Sequence, residues 1–232
     1  SAYPACPLAP PTNEDYCSYS NNGNWQKVAW LWPATGCSLD PSNVQVAGGM
    51  LQLSTYPGVP HEGAQLMSRN TYSFGSYRIR LRASRGTPWP QFPWNTGVVN
   101  GFFYYRLGHG EIDVEILSKN QSALGHSVQF NVHSFVGGAT QHPVTVALPF
   151  DPTDDFHVYG FDWYSDRVEF FVDPPAQGAT PVATISSSEI AIPQIAGSLI
   201  VNNWSGDAFS GAPPSEPTHM YVDWIRFQPD AP

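Results

Sequence analysis

The sequence predicts an all-β protein, a two-sheet antiparallel β-sandwich of jelly-roll type with one concave sheet. Composition is the first reason: only 12% of the 232 residues are charged, 14% are aromatic, and 20 Gly and 23 Pro punctuate the chain. That is the make-up of short strands joined by many turns. Period-two patterning is the second, because apolar and polar residues alternate along several segments as they must on a pleated strand with one buried face. The third is the near-absence of helical periodicity. Ser186 and Glu189 have capping-box spacing, but Pro193 leaves room for only a turn or two of helix behind them.

Taken in chain order, Met50 to Thr55 is the first strand expected. In the next, Tyr77, Ile79, Leu81 and Ala83 face one way while Arg78, Arg80 and Arg82 face the other. Val98 to Tyr105 follows, then Gly110 to Leu117, and then a strand in which Val128, Phe130 and Val132 alternate with Gln129, Asn131 and His133. His157 to Tyr164, Val168 to Val172 and Leu199 to Trp204 are bounded by Gly, Pro, Asn and Asp clusters. In the last strand Met220, Val222 and Trp224 are expected on the face opposite to Tyr221, Asp223 and Ile225. This many strands with both faces partly apolar implies two packed sheets.

No internal repeat or composition shift marks a second unit, so residues 21–232 read as one domain preceded by a Pro-rich arm over 1–20, which carries Pro4, Pro7, Pro10 and Pro11. The three cysteines, Cys6, Cys17 and Cys37, lie in or near that arm. A disulfide among them would restrain it and implies an oxidising compartment, hence secretion, with one thiol left over. The beginning at Ser1, without a basic or apolar leader, is what a processed chain would show. Asn120-Gln121-Ser122 and Asn203-Trp204-Ser205 match the N-glycosylation pattern. A formal charge of -9 argues against nucleic acid and against anionic membranes, and no apolar run is long enough for a membrane helix. A monomer is the default expectation.

The segment Gly110-Glu111-Ile112-Asp113-Val114-Glu115-Ile116-Leu117 carries the chemistry. Three acids at i, i+2 and i+4 share one face of a strand whose other face is apolar. Successive members lie about 6.6 Å apart, and two charges at that distance repel by roughly 2.5 kcal/mol at an effective dielectric of about 20. Stability alone does not select such a row. A raised pKa on one acid beside an ionised neighbour relieves the repulsion, and that is the pairing retaining glycoside hydrolysis requires: a carboxylate nucleophile and a protonated partner. Glu111 and Glu115 are the candidate pair, with Asp113 placed to hydrogen-bond to either. A solvated sheet face and a hard-cation site are the other readings of the same acids. Phe103, Tyr105, Asn131, His133, Asn202 and Trp204 stand at strand positions that can line a groove, and rings with amides suit a neutral polysaccharide. The histidines show no zinc spacing, and no catalytic metal is expected.

At these residues the chain resembles the family sixteen glycoside hydrolases over about Gly63 to Phe227. The regular Glu-x-Asp-x-Glu spacing of Glu111, Asp113 and Glu115 is similar to the lichenase and xyloglucan endotransglycosylase branches rather than to branches with a bulge before the last Glu. The resemblance implies Glu111 as nucleophile, Glu115 as acid/base and Asp113 as their assistant, in a retaining endo-hydrolase of mixed-linkage β-1,3-1,4-glucan. Gly101-Phe102-Phe103-Tyr104-Tyr105, Val128-Gln129-Phe130-Asn131 and Val201-Asn202-Asn203-Trp204 resemble lichenase cleft segments, so Phe103, Tyr105, Asn131, Asn202 and Trp204 would contact glucan. Gln65 and Met67 replace a Glu and an Arg of the lichenase pattern, His109 a Trp and His133 a Tyr, which implies altered subsites around Gln65, His109 and His133. The Cys that would pair with Cys37 is replaced near Gly63.

Phe150-Asp151-Pro152-Thr153-Asp154-Asp155-Phe156-His157 looks more like the xyloglucan enzymes, which makes a xyloglucan endohydrolase or transglycosylase the alternative within the class. A non-catalytic polysaccharide-binding module is the alternative outside it. Many such enzymes hold a structural calcium away from catalysis, which by position would involve Gly49 and Asp223; an Asp hydrogen-bonded within the fold is the competing reading of Asp223. The aromatic segment Arg85 to Asn95, with Trp89, Phe92 and Trp94, is expected to wall the cleft.

Overall fold

The computed structural model describes residues 24–32, 37–58, 61–85, 97–121, 125–174, 179–206, 209–211 and 213–229. The arm assigned to 1–20, with Cys6 and Cys17, and all of the aromatic segment Arg85 to Asn95 except Arg85 lie outside them. The described residues form strands β1 Trp25–Lys27, β2 Trp30–Trp32, β3 Cys37–Leu39, β4 Val44–Ala47, β5 Met50–Thr55 and β6 His61–Tyr72. There follow β7 Gly75–Arg82, β8 Val99–Arg106, β9 Gly110–Leu117, β10 His126–Ser134, β11 Thr140–Gln141 and β12 Val144–Leu148. The last are β13 His157–Trp163, β14 Arg167–Val172, β15 Ala183–Ser186, β16 Gly197–Trp204 and β17 Thr218–Pro229. No α-helix occurs among the described residues. Ser186 donates from its N and its Oγ to Glu189 Oε2, both at 2.8 Å, but the capped segment closes as a single turn after β15.

Two sheets result. One runs β11-β10-β9-β8-β16-β6-β3-β2, with β1 on β6 and β12 on β10; the other runs β15-β14-β13-β7-β17-β5-β4. The pairings are antiparallel except β3 with β6, which is parallel. The chain leaves the first sheet after β3, builds β4 and β5 in the second and returns as β6, so it re-enters in the same direction.

Between the sheets lies a core rich in rings, because strand positions facing inward in sequence face inward in space. Phe130 of β10 stacks on Phe170 of β14 with centroids 4.6 Å apart, and Tyr104 of β8 meets Trp163 of β13 at 4.4 Å. Each such pair adds about 0.5–1.5 kcal/mol to what burial contributes. Tyr77, Ile79, Leu81 and Ala83 are all buried. On the outer face of the same strand Arg78 pairs with Asp162 at 2.8 Å and lies over the Phe171 ring, while Arg82 stacks on Tyr221.

The last strand departs from strict alternation. Its pairing with β7 shifts register between Val222 and Trp224, leaving Asp223 as an extra residue. A bulge reverses the phase of everything beyond it. Met220, Val222 and Ile225 are therefore buried together, and Trp224 turns outward opposite Arg80.

A second apolar cluster of Cys37, Leu39, Val99, Leu117 and Trp204 covers one end of the first sheet on its outer face. It closes over Gly63, where a Cβ would lie 2.9 Å from both the Cys37 sulfur and the Asn203 carbonyl oxygen. Burial pushes the Cys37 thiol up in pKa. Of the two glycosylation patterns, Asn120 is exposed, whereas Asn203 is fully buried, donating to the Leu53 carbonyl and accepting from Ser84 Oγ.

Gly160 lies in β13 directly against β7, and a Cβ there would sit 1.9 Å from the Tyr77 carbonyl oxygen. Gly160→Ala should cost about 3 kcal/mol through overpacking and strand displacement, read as a lowered denaturant midpoint.

Candidate active site

Strand β9 lies inside the first sheet, between β8 and β10, and presents its pleat in two directions. Ile112, Val114 and Ile116 point into the core between the sheets, so Glu111, Asp113 and Glu115 must point to the other face. Register places each acid in a cross-strand row. Glu111 stands between Tyr105 and His133, Asp113 between Phe103 and Asn131, and Glu115 between Gly101 and Gln129. The rows continue across β16 and β6: Tyr105 to Ser198, Phe103 to Ile200 and Met67, and Gly101 to Asn202 and Gln65. Neither ladder of β9 contains a register shift, so the three acids keep a regular spacing.

The electrostatics follow from burial. Asp113 is only 2% exposed, and desolvation followed by repulsion from Glu115 holds its carboxyl well above the usual carboxylate range. Burial pushes Glu111 up to about 9, reinforced by the charge of Asp113 and by a hydrogen bond between the two, and opposed by His133. Glu115 is pushed up to about 7 by burial and then by repulsion from Glu111, with His133 and Gln129 opposing. Gln129 Nε2 donates to Glu115 Oε2 at 3.4 Å. Around neutral pH the row therefore carries fewer than three negative charges. The hydrogen bond between Asp113 and Glu111 raises Glu111 and lowers Asp113, so the two carboxyls share a proton, and Glu111 must give it up before it can act as a nucleophile.

The polar groups of the floor are incompletely paired. Asn131 Nδ2 lies 2.8 Å from His133 Nε2 and 3.3 Å from Gln141 Oε1, yet its own oxygen is buried without a hydrogen bond. Asn202 donates to Gln65 Oε1 at 3.4 Å, and its oxygen is likewise buried and unpartnered. Both oxygens lie in the rows of the acids, where a ligand hydroxyl would find an acceptor.

Residues 32–226 match the family described as Glycosyl hydrolases family 16. The chain belongs to this family. It is 28% identical to a beta-glucanase of Paenibacillus polymyxa over 227 residues, covering 90% of this chain and 84% of that protein. A beta-glucanase of Bacillus subtilis (strain 168) is 28% identical over 224 residues, 89% of this chain and 82% of that one. Among solved structures, the Bacillus licheniformis beta-glucanase superposes with a TM-score of 0.77 at 25% identity, covering 94% of this chain and 97% of the other. The chain is a glycoside hydrolase with the jelly-roll sandwich expected from its sequence.

Within this family 16 fold, Phe103, Tyr105, Gln65 and His133 are half-buried and take places on the acid-bearing face, while Asn131 and Asn202 sit deeper in the same rows. Tyr105 feels Glu111: burial and that charge raise its phenol pKa. Trp204 does not offer its ring to the floor. It is 5% exposed and packs into the second apolar cluster, parallel to Phe209, because its row runs through Val99 and Leu117, beyond the acids. His109 lies in the turn between β8 and β9, where its carbonyl accepts from Phe135 N, beside the row rather than in it. The segment Phe150 to His157 forms the turn into β13, with Asp151 accepting from Thr153 N and Oγ1.

Two contributors were missing from the sequence reading. Gln129 shares a face with Asn131 and His133 by simple alternation, a signal present in the sequence; Gly101 marks a close approach, since a Cβ there would lie 2.4 Å from Asn202 Oδ1. Gly49 and Asp223 do not form a calcium cradle as they stand. Asp223 Oδ2 already meets the Arg80 guanidinium at 2.5 Å, Gly49 closes the β4–β5 hairpin at φ 79°, and no group of three or more His, Cys, Asp and Glu suited to a metal occurs among the described residues.

The raised carboxyls make a stability prediction with a definite sign. An acid whose folded pKa exceeds its unfolded value binds its proton more tightly in the native state, so its favourable contribution is present below the unfolded value near 4.5 and is lost as pH rises to about 7 for Glu115 and about 9 for Glu111. Glu111→Gln and Glu115→Gln should each stabilise the fold by about 1–2 kcal/mol at pH 9 and by little at pH 4, measured by urea unfolding at both pH values.

Proposed function

We propose that this family 16 hydrolase is a retaining endo-β-glucanase whose preferred substrate is mixed-linkage β-1,3-1,4-glucan. The regular, unbulged acid row of β9 on an amide- and aromatic-lined sheet face carries the reading. The beta-glucanases to which the chain is similar support it. In the first half-reaction Glu111 attacks the anomeric carbon while Glu115 donates its proton to the departing glycosidic oxygen, and a covalent glycosyl-enzyme forms. In the second, Glu115, now a carboxylate, takes a proton from water, which displaces Glu111. The pKa of about 7 at Glu115 suits both duties, since a group near the working pH can give and take a proton. Asp113 holds Glu111 in orientation through their hydrogen bond, and Glu111 attacks once the shared proton has left it. Phe103 and Tyr105 offer rings to the apolar faces of glucosyl units, and the Asn202 oxygen offers an acceptor to a hydroxyl. The chain works on an extracellular polymer, as a secreted monomer.

Reducing-end release from mixed-linkage β-glucan, xyloglucan and laminarin tests the substrate, with the first the expected winner; preference for xyloglucan would move the enzyme to that branch, and binding without release would make it a module. Glu111→Gln and Glu115→Gln should each lose on the order of a thousandfold or more in kcat while staying folded. Azide separates the two roles: with an activated β-glucan glycoside, Glu111→Ala should yield the α-glycosyl azide by direct displacement. Glu115→Ala should yield the β-azide by way of the glycosyl-enzyme.

A further inference from the structure

The first sheet continues past β8 for several strands, and its far edge carries a ring that the chemistry above does not use. Leu117 pairs with Val99 and Val99 with Trp204. Asn203 pairs with Ala64, which brings Trp204 beside Gly63, where a Cβ would lie 3.2 Å from the Trp204 Cα. Gly63 pairs in turn with Leu39, and Leu39 with Trp30 on the edge strand β2. Cross-strand partners share a face, and Leu117 stands two residues beyond Glu115, so Trp30 belongs to the acid-bearing face of the sheet. Leu39, Val99, Leu117 and Trp204 are buried together in the second apolar cluster, whereas Trp30 is 58% exposed. The other exposed large apolar side chains among the described residues, Val46, Leu107, Val136, Val182 and Ile195, are aliphatic.

We infer that Trp30 is a distal glucan platform, an indole that stacks on a glucosyl unit well away from the bond being cut and so gives the enzyme a preference for long chains. In the order β9-β8-β16-β6-β3-β2 the ring stands five strand positions from the acids, roughly 24 Å at about 4.8 Å per strand. A chain lying across the strands over Glu111 and Glu115 reaches that far only when it is several sugar units long. The inference rests on the endo-glucanase reading given above, in which polymer extends on both sides of the bond.

Continuity with the catalytic floor makes the remote part of the same glucan the occupant. The row of Asp113 runs through Phe103, Ile200 and Met67 to Gln26 on β1. One short segment of chain, Gln26 to Trp30, thus supplies an amide to the end of the floor and a ring to its rim. Single exposed aliphatic side chains are ordinary on a protein surface. An indole on the face that holds the acids is different in kind, because it joins a broad apolar surface to a polar N–H at a wet boundary, the combination a sugar ring with its hydroxyls requires. A second copy adding to the edge of the sheet would hydrogen-bond to the β2 backbone and leave the ring on the face unexplained.

Binding as a function of chain length tests the platform. Glu111→Gln holds substrate without cutting it, and that variant is titrated calorimetrically with mixed-linkage gluco-oligosaccharides of increasing length, with and without Trp30→Ala. The shortest should bind both proteins alike. Beyond the length that spans from β9 to β2, Trp30→Ala should weaken binding about fivefold, and Trp30→Phe by less. Trp30→Gln gives the same comparison if the alanine variant fails to fold. A loss equal at all lengths, or no loss at any length, overturns the proposal. So does a dimer that Trp30→Ala converts to monomer by light scattering, since the ring would then belong against a second copy. Xyloglucan and laminarin oligosaccharides keep the two readings apart: if one of these series binds in place of the mixed-linkage one and Trp30→Ala weakens only its long members, the substrate preference falls and the platform stands. Turnover surviving in Glu111→Gln overturns the retaining reading, and the same length series in KM then decides on Trp30.

Discussion

Three carboxyl groups placed on one face of one strand cannot all be ionised, and the remainder of the cleft is arranged around that constraint. Pleating puts Glu111, Asp113 and Glu115 about 6.6 Å apart along β9, and burial, nearly complete for Asp113 and partial for Glu111 and Glu115, removes part of the water that would screen them. Repulsion and desolvation act in the same direction and raise all three. A site in this condition holds protons around neutrality, which is what an acid catalyst needs; it also makes the native state weaker as pH rises. In the proposed mechanism, catalytic competence and alkaline instability have a common origin.

The neighbouring strands supply what the row lacks. From β10 come Gln129, Asn131 and His133, one opposite each acid, and from β8 come Gly101, Phe103 and Tyr105. The glycine is as informative as the side chains, since its missing Cβ leaves the space into which Asn202 turns. Several of these groups are short of partners: the oxygens of Asn131 and Asn202 are buried and unpaired. An interior built for stability alone would pair them.

The second sheet shows the contrast. Its outer face carries a row of like charges of its own, Arg78, Arg80 and Arg82, but each has a partner: Asp162 for Arg78, Asp223 for Arg80, and the rings of Tyr221 and Phe156 for Arg82. A charge row with satisfied members braces a sheet, whereas the crowded acid row of β9 is the proposed seat of the chemistry. The bulge at Asp223 serves the bracing, because the extra residue puts a carboxylate beside Arg80 and returns Ile225 to the core.

Much of this was legible along the chain because alternation is a local property. The buried faces of β7 and β10 and the shared face of the acids follow from period two alone, since a strand inside a sandwich has no freedom to choose another. Alternation failed at Trp224, where a single inserted residue reversed the phase, and it misplaced Trp204, whose face was right but whose row belonged to an apolar cluster. The family resemblance, and not alternation, implied a calcium at Gly49 and Asp223, where the Arg80 guanidinium meets the Asp223 carboxylate. The sequence by itself determined the sandwich, the acid triad and the faces of the strands that flank it, because these depend on neighbours two residues apart. Tertiary structure decided which rows meet the acids, how deeply each acid is buried and that His133 lies against Asp113, because register between strands distant in sequence sets those distances and the dielectric around them.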